Sequence, residues 1–330
     1  MIYVTKIINI IMLITISLIG LYFAFYNIDF ENLYLRLLKV DSIRFSLSVA
    51  ILMLACVFRS KRLQYIVSPI DDKITLHHLF SSTMIGYFGN GILFFRLGEV
   101  LKAYSISQGN RITASESFGV IMLERMIDAL TVLILLLISL IWLPTQNSTI
   151  NYWITAFTIV TILFTLSIVV LRKINWEKFI MSFSFVNEKI RIAFLGIVQK
   201  IFDGIDTIKN TNHVKGILFS TISMWICYYF MTVWLLESCQ IYIMPSGSFI
   251  MLVMGAIIIA VPALPGGLGT YEAGITYTLM LLYFLTKDEA LTYAIVSHAS
   301  NYIPFLGVGS IYFIISGLRI SDLKKVSNSK

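Results

Sequence analysis

Apolar segments long enough to cross a lipid bilayer recur along this sequence, and no other feature constrains the fold as much. A helix needs about 20 apolar residues to cross roughly 30 Å of hydrocarbon. Only 13% of the residues are charged, which is about half the usual share in a soluble domain. The sequence therefore predicts an all-α polytopic membrane protein, with about six full transmembrane helices in one membrane domain, 1–330. The six segments lie near 7–26, 45–66, 118–143, 152–171, 216–236 and 290–316.

The second of these segments is the weakest, because its purely apolar part is short. Arg59, Lys61 and Arg62 follow that part directly. Long cationic side chains can extend from a helix end to the membrane surface. We therefore retain the segment as a crossing and interpret these three cations as helix-end residues.

Two further segments, 76–110 and 249–286, predict broken helices rather than simple crossings. Each consists of an apolar run, a glycine-rich break and a second helical run. The first break is expected at GYFGNG (86–91). The second is expected in PALPGGLGTYEAG (262–274), where Thr270 is expected to cap the following helix. We expect each segment to form a re-entrant hairpin that enters and leaves the membrane on one side.

The distribution of Lys and Arg predicts how the chain is oriented in the membrane. Cations are concentrated in 172–215 and in the C-terminal tail, whereas 144–151 and 237–248 contain none. The positive-inside rule then places 172–215 and both termini in the cytoplasm. Large apolar residues recur within 172–215 at spacings of three and four, which predicts an amphipathic helix on the inner leaflet. A helix packed on the cytoplasmic face of the protein fits the same pattern.

With both hairpins included, the chain divides into the halves 1–143 and 152–316. Each half has two crossings, a broken hairpin and a third crossing, and the two halves have opposite orientations. This is the inverted-repeat plan of many secondary transporters, in which the paired broken segments meet near the midplane and form the substrate site. The sequence similarity between the halves is slight, so the symmetry depends on the order of the hydrophobic segments.

The third crossing contains charged residues, which are costly in hydrocarbon unless they are paired or hydrated. Glu124 and Asp128 lie one helical turn apart on the same face. We expect Arg96 or Lys102 of the first hairpin to be the cationic partner of Asp128. Two interpretations stay open, a polar site that faces a substrate and an ion-pair clasp that fixes the hairpin to the helix. The clasp would consist of Arg96, Glu99, Glu124, Arg125 and Asp128.

Glu272 lies in the first turn after the second break and also has two interpretations. The helix dipole favours an anion at this position, and a capping role is enough to explain it. Alternatively, the backbone N–H groups of Gly266, Gly267 and Gly269, which follow Pro265, receive an anionic headgroup. Glu272 would then orient a cationic partner or exchange a proton.

The sequence contains no pattern typical of an enzyme, a metal site or a nucleotide cofactor. It has no Walker or dinucleotide-binding glycine pattern, and its histidines and three cysteines lack the spacing of metal ligands. His298, in the last crossing, is interpreted as a packed polar residue. We expect no cofactor, no metal and no nucleic-acid partner.

Three motifs stand in order along the chain, NGILFFRLGEVLKAY (90–104), LERMIDAL (123–130) and PALPGGLGTYEAG (262–274). Together they resemble the lysylphosphatidylglycerol synthase transmembrane region family, whose members are flippase-like membrane domains found alone or fused to a lipid-aminoacylating domain. The resemblance covers about 7–316. The positions that match the motifs of the family are Asn90, Arg96, Gly98, Glu99, Glu124, Arg125, Asp128, Pro262, Pro265, Gly266, Gly267, Gly269 and Glu272.

The chain departs from the pattern of this family at two places. Phe94 and Phe95 stand where the family usually has a proline before the arginine, which puts the sharpness of the first break in question. Lys102 stands where the family often has arginine, which puts bidentate phosphate recognition there in question. Because the chain ends shortly after its last crossing, aminoacyl transfer is not expected.

The resemblance implies translocation of an amino-acid-modified phospholipid, or of a polyprenyl- or glycan-linked lipid, in the plasma membrane of a prokaryote. In this leading hypothesis Arg96, Lys102 and Arg125 meet the phosphate, and the acids pair with these cations or couple to protons. An integral membrane enzyme that modifies a lipid-linked substrate is the alternative, with Asp128 or Glu99 as the base. A third hypothesis is a non-catalytic partner of a lipid-modifying enzyme. Whether the protein forms a homo-oligomer stays open.

Overall fold

The computed structural model describes residues 2–142, scattered positions between 152 and 171, and residues 173–181, 188–261 and 264–318. In these residues the fold is all-helical, as predicted, and contains no strand. Most of the predicted crossing at 152–171 lies outside the described residues, as does Pro262. The helices are α1 (Ile2–Phe25), α2 (Phe30–Leu38), α3 (Ser42–Val67), α4 (Leu76–Ile92), α5 (Gly98–Ser107), α6 (Ala114–Ser139), α7 (Trp176–Met181), α8 (Glu188–Asn210), α9 (Val214–Ser238), α10 (Pro245–Ala260), α11 (Thr270–Tyr283) and α12 (Lys287–Ile315).

Within the described part of the chain, α3 and α9 are the two helices long and apolar enough to cross a membrane. They pack against each other in antiparallel directions. Arg44 near the start of α3 pairs with Glu237 near the end of α9, with 3.1 Å between Nε and Oε2. At the opposite ends, the Tyr65 ring lies against Gly216 so closely that a Cβ there would be 2.7 Å from it. The segments predicted at 7–26, 118–143 and 290–316 are helical as well.

The first broken segment, 76–110, forms a helical hairpin, but the break is not where the sequence predicts it. GYFGNG (86–91) is helical because α4 continues to Ile92, and the chain reverses at 93–97 instead. The glycines of α4 serve close packing rather than a break. A Cβ on Gly89, for example, would lie 2.7 Å from the Cα of Gly98 on α5. We call α4, α5 and the turn 93–97 hairpin 1.

The turn of hairpin 1 is sharp although it has no proline. Phe95 and Arg96 take the left-handed backbone conformation, with φ of 58° and 53°. This conformation is uncommon for residues other than glycine and costs about 1–2 kcal/mol for a residue with a Cβ. The turn is therefore sharp although this chain lacks the proline that the family usually has before the arginine.

The second broken segment, 249–286, also forms a hairpin, which we call hairpin 2 and which consists of α10, α11 and the turn between them, described at 261 and 264–269. The turn contains three left-handed glycines, with φ of 76° at Gly266, 84° at Gly267 and 86° at Gly269. The prediction that Thr270 caps α11 is wrong, because Thr270 is the first residue of that helix and its hydroxyl donates to the Gly267 carbonyl at 3.1 Å. The N-cap is Gly269, which directly precedes the helix, and its N–H donates to the Glu272 carboxylate.

Helix α12 contacts both hairpins and shows how they are arranged. The base of hairpin 1 lies near the end of α12, where the rings of His77 and Tyr312 are 5.6 Å apart. The other end of α4 lies near the middle of α12, where the Tyr302 hydroxyl donates to the Gly91 carbonyl at 3.0 Å. Hairpin 1 therefore runs along the second half of α12, with its turn at the midpoint.

Hairpin 2 occupies the first half of α12. Its turn lies at the same midpoint, because the Gly266 carbonyl is 3.0 Å from Nε2 of His298. Its base, where the Tyr283 hydroxyl donates to the Gly247 carbonyl at 3.2 Å, lies beside the start of α12 at Lys287. The two hairpins therefore extend in opposite directions and meet at their turns.

The cationic segment 172–215 folds into α7 and α8 in its described part, and α8 packs on α6. Two glycines permit this close contact, because a Cβ on Gly119 would collide with the Ile201 carbonyl and a Cβ on Gly204 with the Glu116 carbonyl. The sequence allows this amphipathic segment to lie on the inner leaflet or to pack on the protein, and the contacts with α6 show that α8 packs on the protein.

The loops at the base of hairpin 1 are joined by Asp71. Its carboxylate accepts hydrogen bonds from the Arg111 N–H at 3.0 Å and from the Lys73 N–H at 3.1 Å. The backbone hydrogen bond from Arg111, with a further one from Lys73, lowers the pKa of this carboxyl group. The base of the hairpin is therefore held to the loop that precedes α6.

Candidate functional site

Among the described residues, seven charged side chains from α3, α5 and α6 lie in one buried group that we call the charge cluster. The group fixes three helices to one another, because each contributes at least two of its members. The members are Arg59 and Arg62 of α3, Glu99 and Lys102 of α5, and Glu124, Arg125 and Asp128 of α6.

Glu124 is the centre of the charge cluster, and its side chain is completely buried. One carboxylate oxygen accepts from Nη1 of Arg59 at 2.8 Å, and the other from Nζ of Lys102 at 2.7 Å. Nη2 of Arg62 lies 3.4 Å from the first oxygen. A buried carboxylate is tolerated when it is paired in this way, and loss of the partners would leave an uncompensated charge.

Asp128 pairs with arginines that the sequence did not suggest. Its two oxygens lie 3.0 Å from Nη2 of Arg59 and 2.7 Å from Nη2 of Arg62. The expectation that Arg96 or Lys102 is its partner is therefore wrong, since Lys102 contacts Glu124 instead. The interpretation of Arg59 and Arg62 as helix-end cations is also wrong, because both are buried. Their i, i+3 spacing, which places both on one helix face, was the available signal.

Arg125 lies at the edge of the charge cluster, and its side chain is 27% exposed. Its contacts are long, at 3.6 Å to Glu99, 3.7 Å to Glu124 and 3.5 Å to Asp128. Glu99 in turn accepts from the side-chain amide of Asn90 at 3.3 Å. These predicted residues of the first two motifs are thus brought together on hairpin 1 and α6.

The charge cluster has an excess of positive charge. Its four cations, Arg59, Arg62, Lys102 and Arg125, face three anions, Glu99, Glu124 and Asp128, which gives a formal charge of 4 − 3 = +1. In a site of low dielectric constant, an unbalanced cation attracts an anion strongly. Arg125 is the member best placed to use this excess, because it is partly exposed and loosely paired.

Arg96 lies outside the charge cluster, on the turn of hairpin 1. Its guanidinium donates to the Ile259 carbonyl at the end of α10, so it joins the two hairpins at their turns. Arg96 is exposed and is close enough to interact electrostatically with Arg125 and Glu99. It therefore stands between the charge cluster and the turn of hairpin 2.

A second polar group lies behind the turn of hairpin 2 and consists of Glu272 and His298, which we call the tip pair. Oε1 of Glu272 is 2.5 Å from Nδ1 of His298, and Oε2 accepts from the Gly269 N–H at 2.7 Å. The capping interpretation of Glu272 is therefore confirmed, and a second contact is added to it. The sequence does not indicate the contact of His298 with Glu272, because nothing in a single helical histidine points to a partner 26 residues away.

The glycine N–H groups of hairpin 2 do not form the predicted anion cradle. The Gly267 N–H donates to the Leu264 carbonyl at 2.8 Å, and the Gly269 N–H is occupied by Glu272. These two donors are therefore not available to a headgroup. The glycines serve the turn itself, where they follow Pro265 and take the left-handed conformation.

Gly98, which also matches the motifs, serves packing within hairpin 1. A Cβ at this position would collide with the Gly86 carbonyl and with the backbone N of Asn90. Asn90 itself lies on the last turn of α4 and orients Glu99. Both positions shape the hairpin that carries Arg96 and Lys102 to their places.

Comparison with known proteins gives one family. The model of the family described as Lysylphosphatidylglycerol synthase TM region matches residues 10–309, which is most of the chain. No curated protein and no solved structure matches. All three motifs that carry the sequence resemblance lie within the matched residues.

Proposed function

The chain belongs to the lysylphosphatidylglycerol synthase TM region family, and from this premise we propose that it moves a lipid with an anionic headgroup across a membrane. The substrate would be a phospholipid or a polyprenyl- or glycan-linked lipid. The family is one of membrane proteins that handle lipids, and the apolar helices α3 and α9 agree with a membrane location. Flippase activity is the step that we add.

The membrane arrangement that we propose has two re-entrant hairpins and six crossings. The crossings are α1, α3, α6, the segment 152–171, α9 and α12, and both termini lie in the cytoplasm of a prokaryotic cell. The meeting of the hairpin turns at the midpoint of α12 supports this, because broken helices that meet near the midplane form the substrate sites of inverted-repeat transporters.

The observation that carries the proposal is the position of Arg96 and Arg125 beside the meeting turns. Arg96 is exposed and bonded to a backbone carbonyl, and Arg125 has long contacts to its acids. Guanidinium groups bind phosphate in a bidentate manner. We assign these two arginines to the headgroup phosphate, while the acyl chains stay in the surrounding lipid.

The rest of the charge cluster is assigned to the clasp. Glu124 and Asp128 are each held by Arg59 and Arg62, and Lys102 is buried against Glu124. The sequence predicts that Lys102 meets the phosphate, but its buried contact with Glu124 assigns it to the clasp instead. Both interpretations of the cluster are used, because its buried part holds the helices and its exposed edge faces the substrate.

A transporter fits the site better than an enzyme does. A general base needs a carboxylate oxygen that can reach a substrate proton. Both oxygens of Asp128 face guanidinium groups, and Glu99 accepts from Asn90 and faces Arg125. Asp128 therefore presents no free oxygen to a substrate, and Oε1 of Glu99 is engaged by both Asn90 and Arg125.

The experiment is a lipid-translocation assay in liposomes with the purified protein. The probes are fluorescent phosphatidylglycerol and a fluorescent polyprenyl phosphate, and an impermeant quencher reports the fraction in the outer leaflet. We expect translocation of at least one probe above protein-free liposomes. Arg96→Gln and Arg125→Gln should each slow it by about tenfold or more, because a charge-assisted hydrogen bond contributes about 1.5–3 kcal/mol.

The matched control is Arg44→Gln, which removes an arginine from a partly exposed pair with Glu237 far from the hairpin turns. It should leave the rate unchanged. The proposal is wrong if neither probe moves faster than in protein-free liposomes, or if both arginine variants keep the full rate.

A further inference from the structure

Both ring nitrogens of His298 face an oxygen atom. Nδ1 lies 2.5 Å from Oε1 of Glu272, and Nε2 lies 3.0 Å from the carbonyl oxygen of Gly266. A carbonyl oxygen only accepts, so the contact with Gly266 needs a proton on Nε2. The contact with Glu272 needs a second proton between nitrogen and oxygen. A neutral imidazole has one N–H, and an ionised carboxylate has no proton to give.

The two contacts therefore coexist when the tip pair holds one proton more than a neutral histidine and a carboxylate do together. The extra proton can be placed on the imidazole, as an imidazolium beside a carboxylate, or on Glu272, as a carboxylic acid beside a neutral ring. Both placements satisfy the same two hydrogen bonds. The proton belongs to the pair rather than to either residue.

Loss of that proton makes one of the contacts repulsive. If the remaining proton is on Nε2, the lone pair of Nδ1 faces a carboxylate oxygen. If it is on Nδ1, the lone pair of Nε2 faces the Gly266 carbonyl. Both members of the pair are buried, with 6% and 7% exposure, so water does not readily replace the lost hydrogen bond.

The contacts at risk are among those that hold the turn of hairpin 2 on α12. Gly266 lies in the turn, Glu272 caps α11 through Gly269, and His298 lies near the midpoint of α12. Whichever contact is lost, the turn or the start of α11 loses a buried polar contact with the long helix and is held there less firmly. The protonation of the tip pair is thus coupled to the position of hairpin 2.

The other groups around the tip pair do not supply an alternative proton carrier in the described part of the chain. The Tyr271 and Tyr302 rings lie 4.9 Å and 5.6 Å from the imidazole, and each hydroxyl is hydrogen-bonded elsewhere. Helix α1 faces the turn with the neutral Ser17. The turn of hairpin 1 contributes Arg96, whose guanidinium is bonded to a carbonyl.

We propose that Glu272 and His298 form a proton-binding site, and that the bound proton holds the turn of hairpin 2 on α12. Release of the proton frees the turn, and binding closes it again. If the protein is the lipid transporter proposed above, this site couples headgroup passage at the hairpin turns to proton binding. That coupling rests on the proposed function, whereas the proton site itself does not.

A glutamine at position 272 is a close mimic of the protonated state. Its side-chain oxygen can accept from the Gly269 N–H, as Oε2 does now, and its NH2 group can donate to Nδ1 of His298. The ring then keeps its proton on Nε2 for the Gly266 carbonyl. Glu272→Gln is therefore expected to fold and to hold the turn closed at every pH.

The test measures the position of the turn directly. Spin labels are placed at Leu268→Cys on the turn and Ile314→Cys on α12, both at exposed positions, in a protein whose three native cysteines are replaced by alanine. Sixteen residues of helix separate His298 from position 314, or about 24 Å, which suits electron–electron distance measurement. The labelled protein is reconstituted in liposomes, and distance distributions are recorded from about pH 5 to pH 9.

For the wild-type tip pair we expect one population at low pH and a second, displaced population that replaces it as pH rises. A one-proton transition takes the fraction of molecules in the displaced population from one tenth to nine tenths over about two pH units. Glu272→Gln should keep the low-pH distribution throughout. The proposal is overturned if the wild-type distribution does not change with pH, or if Glu272→Gln changes as the wild type does. Because no lipid probe is used, a failure here is separate from a failure of the translocation assay.

Discussion

At the scale of single residues, Glu124 is the member of the charge cluster on which the others depend most. Its buried carboxylate faces Arg59, Arg62 and Lys102. Without it, the four cations of the cluster would face two anions, and the formal charge of the cluster would rise from +1 to 4 − 2 = +2. Removal of one partner of a buried ion pair costs about 3–5 kcal/mol, since the remaining charge is left without compensation.

We therefore predict that Glu124→Gln strongly destabilises the protein. The measurement is thermal unfolding in detergent, and its readout is the fraction of the protein that remains monodisperse after heating. The control is Glu237→Gln, which breaks the partly exposed pair with Arg44 and should cost about 1 kcal/mol or less. Equal melting temperatures for the two variants would show that the stability of the cluster does not depend on the charge of Glu124.

Phe95 holds a strained backbone conformation at the turn of hairpin 1. Its φ is 58°, and its side chain is 52% exposed. Glycine has no Cβ penalty in this region. We therefore predict that Phe95→Gly leaves the free energy of unfolding unchanged or raises it by up to about 1 kcal/mol, so that the melting temperature stays the same or increases. Phe94→Gly, at the neighbouring position without positive φ, should lower it. The opposite order would mean that the Phe95 side chain matters more than its backbone.

At the scale of the elements, the glycines of hairpin 1 set how closely its two helices approach. We predict that Gly98→Ala disrupts hairpin 1, because the added Cβ would collide with backbone atoms of α4, which cannot move aside as a flexible side chain does. Overpacking of this kind costs about 1–3 kcal/mol. Thermal unfolding and lipid translocation should both decline.

Gly307→Ala is the matched control, since it makes the same substitution in α12, where a Cβ would meet nothing within 4 Å. It should stabilise by up to about 1 kcal/mol, because alanine is a better helix former than glycine. If Gly98→Ala were as well tolerated as Gly307→Ala, the close contact between α4 and α5 would not be essential to the hairpin.

The elements themselves could largely be predicted from sequence, whereas their contacts could not. Apolar windows place α3, α6, α9 and α12 to within a few residues, because an apolar run of about 20 residues has the length that a crossing helix needs. The break of hairpin 1 was misplaced, since glycine is used both for turns and for close helix packing, and the residues alone do not distinguish these uses. Gly86 and Gly89 have the second use.

The same limit applies to the site. Glu124 and Asp128 could be picked out because charges in an apolar helix need a partner, but the partners Arg59 and Arg62 are more than 60 residues away and are brought there by the packing of α3. His298 meets Glu272 across 26 residues for the same reason. Local patterns identify the need for a partner, and tertiary packing decides which residue meets it.

At the scale of the whole molecule, the arrangement of the hairpins along α12 makes a prediction about the two faces of the membrane. The hairpins extend in opposite directions from a common midpoint, so in a crossing α12 their bases lie on opposite sides. In the proposed arrangement the cationic segment 172–215 is cytoplasmic by the positive-inside rule, and the base of hairpin 1 would then lie in the cytoplasm and the base of hairpin 2 outside.

Single cysteines at the two bases test this. Asp72→Cys precedes α4 and Met244→Cys precedes α10, and both positions are exposed. In a protein without native cysteines, we expect a membrane-impermeant maleimide to label position 244 in spheroplasts and position 72 in inverted vesicles. Lysis should expose both, which controls for reactivity. Labelling of both cysteines from one side would contradict the opposed hairpins, and with them the headgroup path between their turns.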